Sequence, residues 1–315
     1  MKKRVTALFL TFLMLFLAAC GSTEQAVTQS TLWEAIPEET KEAAAEEAAV
    51  EEETAAPSEE ESTAAGTEAT AAQTPETTAE DTTETTGTLD ALMADFMSQH
   101  GLNESNFSVS YKNLVTGETY YYNELAMFDG ASTYKLPLNL LYYDLEAAGT
   151  YTEDSIIPGT DTPLSECHYQ SLVYSNNELS EAMTNAYGSY DVLKSDMRRY
   201  YTLTDEEIDD SYYHHNYFCS RMMMDCAAYL YANQDRYPDA LSFLEQAQPG
   251  MYFRTYLPDV TIAQKYGRRD GYEHTAGIVF ADTPFVLSVY SYQAANAADM
   301  IGQCAKLFYD YTMGE

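Results

Sequence analysis

The chain has 315 residues, with 50 acidic against 16 basic side chains and a formal net charge of −34. An excess of this size excludes nucleic acid as the ligand of its folded part and argues against docking on anionic lipid. Five cysteines in such a length are too sparse for a disulfide scaffold.

Residues 1–19 read as a signal segment. Lys2, Lys3 and Arg4 precede the 13-residue apolar run 7–19, which is too short to span a bilayer comfortably but has the length of a signal-peptide core. The run ends in "LAACG" and resembles a bacterial lipobox, which implies cleavage before Cys20 and lipidation of Cys20. The expected address is extracytoplasmic, with lipid on Cys20 anchoring the protein to the membrane.

Residues 20–88 form a different material. From 21 to 88 there are 18 Asp and Glu against the single Lys41, and no Tyr or Phe. Such a segment buries too little apolar surface to offset its ordering entropy, so it is expected to be a disordered acidic stalk.

Residues 89–315 hold all 28 tyrosines and are long enough for one domain with a sizeable core. "LDALMADFMSQH" has helical spacing and stops at Gly101. "FSVSYKNLVTGETYYYNE" reads as a hairpin turning at Thr116-Gly117. A helix opening at Ser132 runs to Gly149, and a helical block fills 150–250. Its Met and Tyr stripes read as core packing. "DVTIAQKYGRR", "HTAGIVFAD" and "PFVLSVYSY" are strand-like, and an amphipathic helix closes the chain. The order predicts an α+β fold, a five-stranded antiparallel sheet covered by helices. Cys167, Cys219, Cys226 and Cys304 read as buried, unbridged residues. Neither the Cys219/Cys226 spacing nor the adjacent His214 and His215 makes a metal site, and no cofactor is expected.

Ser132 and Lys135 stand three apart in "GASTYKLPLN". Alone, they read equally as a helix cap and a solvated lysine. Two further motifs change the reading: Ser175-Asn176-Asn177 within "YSNNELSEAM", and Lys265-Tyr266-Gly267 on the first late strand. With S-x-x-K, these follow in the order S-x-x-K, S-D-N, K-T-G, each on the expected kind of element. On that ground residues 89–315 resemble the class A β-lactamases and the wider superfamily of penicillin-recognising serine hydrolases.

The resemblance implies a serine acyl-transfer enzyme acting on β-lactams or D-alanyl cell-wall peptides, expected to be monomeric. It makes Ser132 the nucleophile, Lys135 its base, Lys265 a second cation and Ser175 a relay between the amines. The backbone N–H groups of Ser132 and Arg268 would form the oxyanion hole, and Asn177 would hold the acyl side-chain amide. Tyr266, Gly267 and Arg268 would border the substrate, with Arg268 or Arg269 supplying a carboxylate site. Departures from the pattern are Asn176 for Asp, Tyr266 for Thr, and no E-x-x-L-N loop to activate a deacylating water. Glu206, Glu207, Asp209 or Asp210 could substitute for that missing Glu, and His274 could line the cleft. The alternative is the same fold as a non-catalytic ligand-binding or wall-associated module.

Overall fold

The computed structural model describes residues 88–314. The proposed signal segment, Cys20 and nearly all of the stalk therefore lie outside the described residues. In chain order the helices are α1 (Leu89–His100), α2 (Lys135–Ala147), α3 (Leu164–Leu172), α4 (Asn177–Tyr187), α5 (Tyr190–Met197), α6 (Ser211–His214), α7 (Ser220–Ala232), α8 (Pro238–Gln246) and α9 (Ala297–Met313). The strands are β1 (Phe107–Asn113), β2 (Thr119–Tyr122), β3 (Phe128–Asp129), β4 (Tyr217–Phe218), β5 (Thr261–Arg269), β6 (Tyr272–Phe280) and β7 (Phe285–Tyr292).

The fold is α+β, as the element order predicts. Five strands make one antiparallel sheet in the order β2-β1-β7-β6-β5. The opening hairpin joins the late strands through β1 against β7, with Val109 opposite Val289. Both faces of the sheet are buried, which is why β7 reads as a nearly continuous apolar run. Phe285, Leu287 and Val289 pack with α1 and α9, around Phe96, Met300 and Phe308. Val286 and Tyr290 face the other layer, where Met222, Met223 and Met224 of α7 are buried. The methionine stripe is thus core, and all four cysteines in the described residues are buried and unbridged.

Two features depart from the linear reading. Ser132 lies in a 3-10 turn, Ala131–Tyr134, and the α-helix starts only at Lys135. A small second sheet pairs β3 with β4, setting Phe128 opposite Phe218 and Asp129 opposite Tyr217. Strands of two residues leave no periodicity to detect. This sheet braces the turn: Gly130 N–H donates to Asn216 O at 2.7 Å, and Asn216 Nδ2 donates to Ala131 O at 2.9 Å. Behind it, buried Lys194 donates to Tyr217 O at 2.9 Å and lies 3.5 Å from the Phe218 ring centre and 4.0 Å from that of Tyr212.

Burial lowers the amines of Lys135, Lys194 and Lys265 below their ordinary value. Between those lowered values and the ordinary lysine range, the unfolded chain binds more protons than the folded one. Stability in that window therefore rises with pH and is lost as pH falls. Tyrosines and cysteines, raised by burial, oppose the trend at more alkaline pH, so the expected rise in melting temperature lies between about pH 7 and 8.5. Lys194→Met should flatten that slope in a thermal-melt series, alongside any loss of midpoint from the missing bond to Tyr217 O. A slope unchanged by the substitution would mean that Lys194 stays charged in the folded state.

Candidate active site

The 3-10 turn carries Ser132, half-buried, at its second residue. Ala131 before it has φ 44°, a left-handed conformation that costs a non-glycine residue about 1–3 kcal/mol. The surroundings over-determine it. Ala131 N–H donates to Asp129 Oδ1 at 2.9 Å, and its carbonyl is held by Asn216. Thr133 Oγ1 is fixed between Gly130 O at 2.7 Å and Tyr290 Oη at 2.6 Å. The turn's own ladder begins with Thr133 N–H on Gly130 O, as expected where the first N–H groups of a helical segment find no partner within it.

Edge strand β5 runs beside this turn, and Gly267 is the reason it can. A Cβ on Gly267 would stand 2.8 Å from Ser132 N, 2.9 Å from Gly130 O and 3.0 Å from Thr133 N. Only a residue without a side chain lets the strand approach the backbone amide of Ser132 so closely.

Lys135 and Lys265 are both 0% exposed. Their amines meet at Ser175 Oγ, which lies 3.2 Å from Lys135 Nζ and 2.9 Å from Lys265 Nζ. Ser175 is itself buried, with φ 58° in the loop between α3 and α4. Lys135 also donates to Ser175 O and, at 2.6 Å, to Asn177 Oδ1. Contact with Ser132 Oγ is not among the bonds of its amine. Burial pushes the Lys135 amine down to about 7, against the pull of Glu181. Lys265 is lowered by burial first and by Lys135 second. Both lowerings disfavour two charged amines side by side.

A buried polar chain fixes the backbone of Lys135. Asn139 Nδ2 donates to Lys135 O at 2.6 Å and to Ser171 Oγ at 2.8 Å, while Asn139 Oδ1 lies 2.7 Å from His168 Nδ1. On the far side, Lys265 Nζ donates to Tyr266 O at 2.9 Å and sits 4.4 Å from the Tyr266 ring centre. Tyr266 stacks on Tyr252, whose hydroxyl reaches Glu273. The tyrosine in the threonine position therefore roofs the second amine.

Of the expected residues, hydrogen bonds bring Lys135, Ser175, Lys265 and the exposed Asn177 together, Gly267 lies against the backbone of Ser132, and Tyr266 and Arg268 flank Gly267 on β5. Asn176 has a structural task, its side chain accepting from Leu179 N–H at 2.9 Å as the cap of α4. Part of the acidic loop is engaged in caps of its own. Glu206, Glu207, Asp209 and Asp210 are exposed; Glu207 caps Thr204 N–H at 2.8 Å and Asp209 caps Ser211 N–H at 2.9 Å. His274 is buried and stacked on Tyr290 at 4.0 Å. Its Nε2 donates to Asp129 O at 2.7 Å while Nδ1 accepts from Ser291 N–H at 3.1 Å, so it latches β3 to the sheet and does not line the cleft. The carboxylate that acts on Lys135 is Glu181, one turn beyond Asn177. The linear reading missed it, since its only signal is the i, i+4 relation to Asn177. Among the described residues no cluster of metal ligands is present.

A five-stranded sheet, a serine turn against its edge strand and two buried lysines around a second serine define a serine-hydrolase architecture. The model of the beta-lactamase enzyme family matches residues 88–312, and the chain belongs to that family, a β-lactamase-like serine hydrolase. Similar solved structures include a β-lactamase from Chitinophaga pinensis, 16% identical, covering 70% of this chain and 98% of that one at TM-score 0.60. A β-lactamase from Burkholderia vietnamiensis is 13% identical, covering 73% and 98% at TM-score 0.62. An ancestral class A β-lactamase is 16% identical, covering 70% and 98% at TM-score 0.59. Comparison with curated proteins found no match.

Gly267→Ala tests the approach of β5 to the turn. The added methyl collides with backbone rather than with a flexible side chain. The expected outcome is a covalent-labelling rate at least about tenfold lower, with the melting temperature down by a few degrees. Unchanged labelling would mean that the turn tolerates displacement.

Proposed function

We propose that the domain hydrolyses β-lactams or D-alanyl cell-wall peptides through an acyl-enzyme on Ser132. The observation that carries this reading is the pair of buried amines meeting at Ser175 Oγ beside the strained serine turn. A serine hydroxyl becomes a useful nucleophile only when a neighbouring base takes its proton. A lysine brought down to about 7 is substantially neutral at physiological pH and can act as that base.

The hydrogen-bond inventory suits this role. A neutral amine has two N–H donors and one lone pair. Ser175 O and Asn177 Oδ1 can accept the two donors of Lys135, leaving the lone pair for a hydroxyl proton. Ser132 Oγ passes its proton to Lys135 as it attacks the carbonyl carbon. Ser175 Oγ, which receives a bond from Lys265, then relays a proton towards the leaving nitrogen. The carbonyl oxygen takes up negative charge between the N–H groups of Ser132 and Arg268, where fixed donors stabilise it most. Asn177, its carbonyl held by Lys135, has its NH2 group left to bind the acyl amide. Tyr266 and Gly267 border the substrate, and Arg268 and Arg269 supply positive charge for a substrate carboxylate.

We further propose that the protein works as a monomer outside the cytoplasm, tethered through lipid on Cys20. The small apolar sequence before Cys20 and the soluble acidic segment after it support that anchor.

Three substitutions test the assignment. Ser132→Ala should abolish covalent labelling by a fluorescent penicillin while leaving the fold intact. Lys135→Met should slow labelling by more than about a hundredfold. In the intact protein the labelling rate should rise with pH through about 7, as the Lys135 amine loses its proton. Labelling that persists in Ser132→Ala would place the nucleophile elsewhere, and absence of both adduct and hydrolysis across several β-lactams and D-alanyl peptides would refute the substrate class. Separately, Cys20→Ser should move the protein from the membrane fraction to the soluble fraction. Retention in the membrane would show that the apolar run is itself the anchor.

A further inference from the structure

Hydrolysis of a serine ester needs a group that takes a proton from the attacking water. Carboxylates near the serine turn have other partners. Asp129 Oδ1 accepts from Ala131 N–H and from Asn216 Nδ2 at 3.3 Å. In the 204–219 loop, Asp205 pairs with Arg198, Glu207 and Asp209 cap backbone N–H groups, and Asp210 lies 3.5 Å from His214.

Helix α4 offers another. Asn177 is its first residue, and Asn177 Oδ1 lies 2.6 Å from Lys135 Nζ, so this face of the helix is turned to the buried amines. Glu181 is four residues on, and residues four apart on a helix share a face. Across the cleft, β5 ends at Arg269. Lys135 of α2 and Arg269 of β5 are the cations whose charge favours the ionised Glu181 carboxylate. It is exposed, so water reaches it.

We propose that Glu181 is the general base that activates water to hydrolyse the acyl-enzyme. The inference rests on Ser132 as the nucleophile. The Glu181 carboxylate takes one proton from water as the water oxygen bonds to the acyl carbon. The tetrahedral oxyanion then collapses, the bond from carbon to Ser132 Oγ breaks, and Oγ leaves with the electron pair. Oγ recovers a proton from the protonated Lys135–Glu181 side of the site, so one water is consumed, one carboxylic acid is released and the free serine is restored.

The charged and titratable groups facing Glu181 are Lys135 from α2, Arg269 from β5, Tyr134 from the 3-10 turn and Glu178 on its own helix. Partial burial raises its carboxyl above the ordinary value, and the two cations oppose that rise. A carboxylate so raised is a stronger base than an ordinary one.

The test follows the adduct of a fluorescent penicillin by intact mass on the full chain, in wild type, Glu181→Gln and Ser132→Ala. Glu181→Gln should acylate within about threefold of wild type but release the adduct at least about a hundredfold more slowly. Wild-type release should fall as the Glu181 carboxyl is protonated at acid pH, a limb that Glu181→Gln lacks. Acylation of the variant also reports that its site is folded. Equal release rates in the two proteins, or a wild-type adduct that is never released, overturn the proposal while leaving Ser132 as nucleophile. Absence of a Ser132-dependent adduct in wild type overturns the underlying reading and the assignment of Glu181 with it.

Discussion

Two lysine amines are buried around a single serine hydroxyl, and the architecture of the domain follows from what that arrangement requires. Each amine charged in isolation would lose its hydration, and the two charged together would repel one another at short range. The site meets both demands by surrounding the amines with acceptors. Ser175 accepts from both amines, Asn177 and a backbone carbonyl take the remaining donors of Lys135, and Tyr266 O takes another from Lys265. The Tyr266 ring closes over the second amine with its electron-rich face. Burial that destabilises charge lowers the proton affinity of both amines, so that the Lys135 amine is largely neutral near pH 7.

The serine turn meets the complementary demand, for rigidity. A left-handed alanine next to Ser132 persists because bonds involving Asp129, Asn216, Thr133 and Tyr290 hold the turn in place. Those partners come from the small sheet, the loop before it and β7, so the central sheet, the helical block and the site are mechanically one unit. His274 and Lys194 belong to this support. One ties β3 to the large sheet, and the other ties β4 to α5. Neither touches the cleft, which shows how a histidine and a lysine with strongly shifted proton affinities can serve structure alone.

Departures from the family pattern also have local physical reasons. Asparagine replaces aspartate at 176 because the position is a helix cap, where either side chain accepts from an exposed N–H. Tyrosine at 266 exchanges a short hydroxyl for a ring that stacks on Tyr252 and covers Lys265. In the acidic 204–219 loop, Asp205 is taken up in an ion pair and Glu207 and Asp209 in backbone caps.

Strand and helix order, the joining of an opening hairpin to three late strands, and the serine and lysine residues of the three motifs were legible in the sequence. They depend on short-range periodicity and on residue types at fixed spacing. Burial of the methionine stripe followed from the same patterning. What only the tertiary structure decided is how segments distant in the chain meet. Ser175 lies 40 residues from Lys135 and 90 from Lys265, yet its one hydroxyl sits between their amines. Two-residue strands β3 and β4 carry no pattern, because what holds them is the turn and the Lys194 cage rather than any repeat of their own. The latch made by His274 and the influence of Glu181 on Lys135 were inaccessible for a related reason. A side chain's chemistry is set by whether it faces a latch, a cap or a cleft, and that orientation exists only once the chain has packed.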